Sequence, residues 1–334
     1  MQTTLSHYPQ LFDETNRLIE KSLNYPATEH YAVDFYPVMN PKNFKNNHIL
    51  YQQEVMAHVG LNLREIICKD EVLPVALLGG VAVKSTHRGK GHLKRLLNDV
   101  LKKHEKSVGI FILWSDLTEL YKKFGFFPAG AFLDHHVDGI VPNNYILTKF
   151  KNLNAKDLGQ IKKIYSKVLC SEYFTFKRAD LHWEMIKKID STDLYISRNV
   201  KGDIKSYFCQ GKGGDLKGVV HEVGYLRENR EQVLNDLRHL RVWHPTLGQE
   251  SCELKYLGLF RIGNPKILGL FLEQRSGGDL RLISHENNEV TFKFKKSRHT
   301  VPTSDFLQYI FGPFPPREFK SMACNLFFSG LDSI

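Results

Sequence analysis

The residues best suited to chemistry sit in a short basic turn, His87-Arg88-Gly89-Lys90-Gly91-His92. It lies between an apolar run, Val75 to Val83, and a segment with apolar residues at Leu93, Leu96, Leu97, Val100 and Leu101. That second spacing marks one face of a helix, so the stretch reads strand, tight turn, helix. A helix start leaves N–H groups unpaired and carries partial positive charge, which attracts anions and phosphates in particular. Gly89 and Gly91 have no Cβ to hold a pyrophosphate away, and Arg88, Lys90, Lys94 and Arg95 add charge. The competing reading is a basic surface turn. The register argues against it, because arginine and glycine fall in the first helical turn after a strand of buried type. Neither the Walker A string nor Gly-x-Gly-x-x-Gly occurs in this turn.

A second candidate lies downstream. Val108 to Ser115 is a short apolar strand, followed by a helical pattern from Asp116 to Phe124 that ends at Gly125. Ser115 or Asp116 can cap this helix, and Leu117, Leu120, Tyr121 and Phe124 share its apolar face. Taken alone, Tyr121 reads as a core tyrosine.

Together the two stretches resemble the GNAT acetyltransferase superfamily. Its coenzyme A signature, Arg/Gln-x-x-Gly-x-Gly/Ala, is similar to Arg88-Gly89-Lys90-Gly91-His92 and departs at Leu93, which can face the core instead. Val83 precedes Arg88 by five residues, as the family's Val-x-Val strand end does. The string Tyr121 to Phe126 resembles the family's Tyr-x-x-x-Gly-Phe element, whose tyrosine protonates the departing thiolate of coenzyme A. The resemblance implies an α/β fold with a mixed sheet and acetyl-CoA as co-substrate. It implies contacts to coenzyme A from Arg88, Gly89, Lys90, Gly91, His92, Leu93 and Ser115. Val81, Ala82 and Val83 would pair the pantetheine arm through main-chain atoms, and Tyr121 would be the general acid.

The elements that must position these residues can be read in order. Tyr8 to Leu23 is a moderately amphipathic helix, and Asn24 to Asn47 is too rich in Pro, Asn and aromatics for a long one. Its Tyr25, Tyr31, Phe35 and Tyr36 either line an acceptor pocket or pack the loop onto the sheet. Two strands follow, His48 to Gln53 and Val55 to Cys68, and Gly79-Gly80 inside the next predicts a bulge or a close backbone approach. The family splays two strands at that point. Gly125 to Asp138 is read as a last strand, and Gly139 to Asn144 as a boundary.

From Tyr145 the pattern restarts, with helices at Ala155 to Leu169 and Ala179 to Ile189. Strands follow at Leu194 to Arg198, Ile204 to Gln210 and Gly218 to Tyr225, then a helix at Glu228 to Leu240. This order, and the echo of Leu96-Leu97-Asn98-Asp99-Val100 in Val233-Leu234-Asn235-Asp236-Leu237, suggests two GNAT-like units in tandem. Mycothiol synthase and the enhanced-intracellular-survival family have that arrangement. The expected units are 1–140, binding coenzyme A, and 145–334, degenerate because its turn GYLRENREQ has no glycines where phosphate would sit. Gly211-Lys212-Gly213-Gly214 lies between two strands with no helix after it and reads as a flexible hairpin rather than a phosphate loop. Asp305 to Phe311 is a last helix.

With 334 residues, 42% apolar and 25% charged, the chain has a globular composition and room for two domains. Five widely spaced cysteines without a Cys-x-x-Cys pair argue against disulfide frameworks and zinc sites, so a reducing, cytoplasmic setting is expected. No signal peptide is evident, and no apolar run reaches the ~20 residues that span a bilayer. The net charge of +10 suits an anionic cofactor locally, while Lys293, Lys295, Lys296 and Arg298 read as a solvated strand face.

Acyl transfer to an amine needs a base, an oxyanion contact and a proton for the thiolate. Glu54 and His58, on one face of an alternating strand, are the candidate bases, and His87 and His92 more readily touch phosphate. Many members of the family use water for this step. His135-His136 shows no metal-ligand spacing and no Gly-x-Ser-x-Gly string occurs, so direct transfer without metal or covalent enzyme intermediate is expected. The function expected is acetyl-CoA-dependent N-acetylation of a primary amine whose identity the residues leave open. A non-catalytic acyl-CoA sensor and, ranked lower, a nucleic-acid-associated protein are the alternatives. In the enhanced-intracellular-survival family the terminal carboxylate enters the active site, and the residues leave open whether Ile334 does so.

Overall fold

The computed structural model describes residues 1–135, 137, 139–245 and 252–334. Runs rich in Val, Ile and Leu pair into an antiparallel series: Gln2–Thr4 (β1), Asn47–Gln52 (β2), Glu54–Cys68 (β3) and Glu71–Val83 (β4). The helix His92–His104 follows, and Ile110–Leu113 (β5) then joins β4 in parallel. That helix buries Leu96, Leu97, Val100 and Leu101 in one cluster with Ala57, Leu61, Ala76 and Leu78 of the sheet, while Lys94 and Arg95 stay exposed. The face expected from the spacing is the face observed.

Phe127–His135 (β6) ends the first half. It stops short of the expected Gly125 to Asp138, and Asp138 and His136 lie outside the described residues. Ile146–Thr148 (β7) and Thr175–Phe176 (β8) precede Asp193–Arg198 (β9), Ile204–Gln210 (β10) and Val220–Tyr225 (β11), which pair antiparallel. The helix Arg230–Leu237 then leads to Val242–His244 (β12), parallel to β11. Three antiparallel strands, a helix and a parallel strand therefore occur in both halves, as β2 to β5 and as β9 to β12. The helix begun at Ala155 is α-helical to Ile164 and runs on to Leu169 as a π-helical turn, Tyr165–Leu169.

The two halves share one mixed sheet. Cys252–Ile262 (β13) inserts antiparallel between β5 and β6, and β6 pairs with β12, giving the order β1-β2-β3-β4-β5-β13-β6-β12-β11-β10-β9-β7 with β8 beside β3. A separate antiparallel sheet, Leu280–Glu286 (β14), Glu289–Phe294 (β15) and Ser297–Pro302 (β16), accompanies the helices Pro265–Arg275 and Thr303–Phe311. Val290, Phe292 and Phe294 enter the core and Lys293 and Arg298 face solvent from the strands, whereas Lys295 and Lys296, expected on a strand face, are exposed in the turn between β15 and β16.

The last residues return to the sheet and are held by a buried ion network. Arg178 bonds both carboxylate oxygens of Glu222, at 3.0 Å for Nη1, and reaches Asp332 at 3.0 Å from Nε, while Arg64 reaches the other Asp332 oxygen at 2.9 Å. The side chains of Arg178, Glu222 and Asp332 are at most 1% exposed, and the Arg178 guanidinium lies 4.0 Å from the Tyr165 ring centroid. Burial alone would raise the Asp332 carboxyl, but Arg178 and Arg64 hold it below its ordinary value. A depressed carboxyl contributes stability that is present above the unfolded pKa of about 4 and lost as pH falls through the folded value. Replacing Asp332 with Asn leaves two buried cations against one carboxylate. The expected cost is about 3–5 kcal/mol in urea unfolding at pH 7, and a cost under ~1 kcal/mol would show the network to be dispensable.

Candidate active site

The site is built where β4 and β5 part. Their parallel pairing runs from Val75 with Ile110 to Leu78 with Leu113 and stops, although β4 continues to Val83. The parting falls at the glycine pair. Gly80 takes φ +59, and the β3–β4 register shifts between His58 and Gly60, which is the bulge expected at Gly79-Gly80. From Gly79 to Val83 the edge of β4 is left without a strand on that side, over roughly 13 Å at 3.3 Å per residue.

A cavity of about 840 Å³ opens at this parting, walled by Gly79, Gly80, Val81, Leu113, Trp114, Ser115 and Tyr121 of the first half. Tyr31 and Phe35 roof it, whereas Tyr25 bonds Asp34 and Tyr36 lies outside the wall. The broken segment therefore does line a pocket, with two of its four aromatics. The rest of the wall comes from later in the chain: Trp243, Tyr256, His221, and Leu326 to Gly330 with Ser333 and Ile334. A Cβ on Gly79 would lie 2.6 Å from the Ile334 main-chain carbon, so Ile334 is seated directly on the glycine strand.

Tyr121, on the short helix Thr118–Lys122, is 6% exposed, and its ring meets Phe126 edge-on at 6.1 Å. Burial pushes its phenol up to about 12, so it stays protonated, as a proton donor must. Among the described residues its hydroxyl has no hydrogen-bond partner. Ser115 accepts the Leu117 N–H at 3.1 Å and so shapes the entry to this helix, which begins two residues later than the sequence pattern.

At the far end of β4 the turn has the predicted form. Gly89 and Gly91 take φ +76 and +78, Gly91 caps the helix, and nothing lies within 4 Å of a Cβ built on either. The N–H groups from Gly89 to Lys94 meet no acceptor among the described residues. Arg88 is held by a 3.2 Å bond to the Val83 carbonyl, and Arg88, Lys90, Lys94 and Arg95 are exposed. A smaller cleft of about 390 Å³ beside the turn adds Arg17, Lys21 and Lys84. His92 packs edge-on to His87, and Leu93 turns toward the core. These groups fit a pyrophosphate: free donors, positive charge and no side chain in the way.

Glu54 and His58 do not share a face. The β2–β3 register shifts between Leu50 and Tyr51, adding a residue to β3 and breaking the alternation on which that expectation rested. Glu54 is paired with Lys84 and, at 2.9 Å, with His87, which keeps its carboxyl low. His58 is fully buried, with Nδ1 2.7 Å from the Gly80 carbonyl and Nε2 3.0 Å from Asn47 Oδ1, and burial pushes it down to about 4. Neither lines the cavity. Of the predicted residues, Val81, Ser115 and Tyr121 come together there, and the basic turn lies at the end of the same strand. Ile334, whose entry into the site the residues left open, lines the cavity, whereas Trp114, Trp243, His221 and residues 326–330 carry no local signal, because their membership depends on contacts across the chain. Among the described residues no group of three or more His, Cys, Asp or Glu converges as a metal site, and no helix is long and apolar enough to cross a membrane.

Residues 9–129, which hold the splayed strands, the glycine turn and Tyr121, match the acetyltransferase (GNAT) domain family. This part of the chain is a GNAT domain. The whole fold is similar to a conserved protein of Enterococcus faecalis V583 described as a probable N-acyltransferase, at 13% identity and TM-score 0.62 over 100% of this chain and 99% of that one. It is similar also to a GCN5-related N-acetyltransferase of Anabaena variabilis ATCC 29413, at 12% identity and TM-score 0.66 over 100% of both chains. Eis1 of Mycobacterium abscessus is a third, at 10% identity and TM-score 0.62 over 100% of both. No curated protein matches this sequence. Beyond the GNAT domain these likenesses concern the fold, and they extend it across both halves.

Proposed function

We propose that the protein is an acetyl-CoA-dependent N-acyltransferase, built from two GNAT-like units of which the first binds the coenzyme, and that it acts on a primary amine in the cytoplasm. The observation that carries the reading is the unpaired edge of β4, which joins the glycine turn at one end to a cavity walled by Tyr121 at the other. In this reading the N–H groups of Gly89 to Lys94 hold the pyrophosphate, and the main chain from Val81 to Val83 pairs the pantetheine arm. A main-chain N–H on that edge faces the thioester oxygen as negative charge develops. The neutral amine nitrogen forms a bond to the acyl carbon and gives up a proton to water, the carbon–sulfur bond breaks, and Tyr121 gives its proton to the leaving sulfur and regains one from water.

Asp116 and Asp215 stand exposed at the cavity wall with Trp243, Phe132 and Tyr256 nearby, which suits a cationic amine carried on an apolar body. Two parallel β–helix–β units, each after three antiparallel strands, support the tandem reading. So does the turn Arg227–Asn229 of the second unit, which has no glycine where the first has Gly89 and Gly91.

Calorimetric titration with acetyl-CoA and with coenzyme A tests the proposal. Saturable one-site binding is expected, followed by free-thiol release when a panel of amines is added. Absence of binding to the folded protein would overturn it.

A further inference from the structure

The hairpin Gly211-Lys212-Gly213-Gly214 is not the solvated loop its composition suggests. It does join β10 to β11, but Lys212 is 1% exposed. Gly211 and Gly213 take φ +75 and +54, and a Cβ on Gly213 would lie 2.8 Å from Asp34 Oδ2, so only glycine lets the hairpin press against the loop that roofs the cavity. The flanking glycines thereby turn the lysine inward. Its Nζ donates to the main-chain oxygens of Gly330 and Ser333, each at 2.7 Å, approaches Ser333 Oγ at 3.2 Å, and lies 4.4 Å from the Phe35 ring centroid.

Among the described residues no carboxylate lies within ion-pair distance of Lys212. A buried ammonium without a counter-charge is costly unless all its hydrogens are satisfied. Here three oxygens of one segment, 330–333, satisfy them. That segment is also the wall of the cavity: Gly330 packs on His221, and Ile334, the next residue, sits on Gly79 where β4 and β5 part.

We propose that Lys212 is a positioning residue that docks residues 330–333 and thereby seats Ile334 against Gly79, setting the floor of the acceptor end of the cavity. Its catalytic consequence rests on the acyltransferase reading above, while the docking itself does not. The side chain acts through the segment and does not touch the reacting atoms. Burial pushes Lys212 down to about 7, against the opposing pull of Asp332, Asp34 and Asp215.

The test compares wild type, Lys212→Met and Lys212→Arg in the full chain. Three quantities are measured: main-chain hydrogen exchange, acetyl-CoA affinity by calorimetry, and steady-state transfer to the best amine of the panel. For Lys212→Met we expect exchange at Leu331, Asp332 and Ser333 to speed up at least tenfold, with the strands around the cavity unchanged. Turnover should fall about 10–100-fold while the acetyl-CoA Kd stays within twofold. Lys212→Arg, whose planar head cannot aim three hydrogens at the same oxygens, should show the same pattern at smaller size, and it decides the matter if the methionine variant does not fold. Unchanged exchange at 331–333, or a rise spread evenly over the whole chain, overturns the proposal. If wild type neither binds acetyl-CoA nor releases thiol, the acyltransferase reading fails, and the exchange data still decide whether Lys212 docks the segment.

Discussion

Tyr121→Phe transfers the acyl group about 10²–10³ times more slowly than wild type, within the range that a positioned general acid contributes. The substitution removes one oxygen and keeps the ring that packs edge-on to Phe126, so neither stability nor acetyl-CoA affinity should change beyond about twofold. The loss therefore falls on kcat. The sign of the pH dependence follows from burial. A donor must be protonated, and a phenol pushed up to about 12 stays protonated across the working range, so Tyr121 introduces no alkaline limb below about pH 10. A single-turnover rate within threefold of wild type would remove Tyr121 from the chemistry and leave it as the core tyrosine its position also allows.

Gly91→Glu should weaken acetyl-CoA binding at least 100-fold, or about 2.7 kcal/mol. Two effects add. Gly91 caps the helix at φ +78, a conformation side chains resist, and a carboxylate there lies among the N–H groups that would hold the pyrophosphate. Gly202→Glu is the matched control: Gly202 takes φ +81 in the exposed β9–β10 turn with nothing within 4 Å of its Cβ position, so it carries the same strain and charge away from the cavity. Calorimetry on both variants separates coenzyme repulsion from backbone strain. Equal weakening in the two would mean that the turn at Gly91 is not the phosphate site.

Much of the site was legible because it is local. A strand, a glycine turn and a helix within Val75 to Leu101 depend on hydrophobic spacing and on φ values that glycine alone adopts freely, and both survive folding unchanged. The bulge at Gly79-Gly80 was legible for the same reason. Where expectation and structure part, a neighbour distant in sequence decides. Glu54 and His58 share a face only if β3 alternates throughout, and one register shift against β2 ends that. The helix from Ala155 keeps its expected span, and only its π-helical turn, where the Tyr165 hydroxyl donates to the Phe176 carbonyl at 2.6 Å, lay beyond the periodicity.

By itself, then, the sequence determined the glycine turn, the strand edge beside it, the tyrosine after the next strand and the repeated order of elements in the second half. All of these follow from periodicity and backbone freedom over a few dozen residues. Tertiary structure alone decided that β13 enters between β5 and β6, that Lys212 is buried on a segment 118 residues away, and that Asp332 meets Arg64 across 268. The physical reason is that strand edges and buried polar groups carry no preference for a particular partner in their own neighbourhood. Which edge is free, and which oxygen meets which cation, is settled only when the whole sheet closes and water leaves.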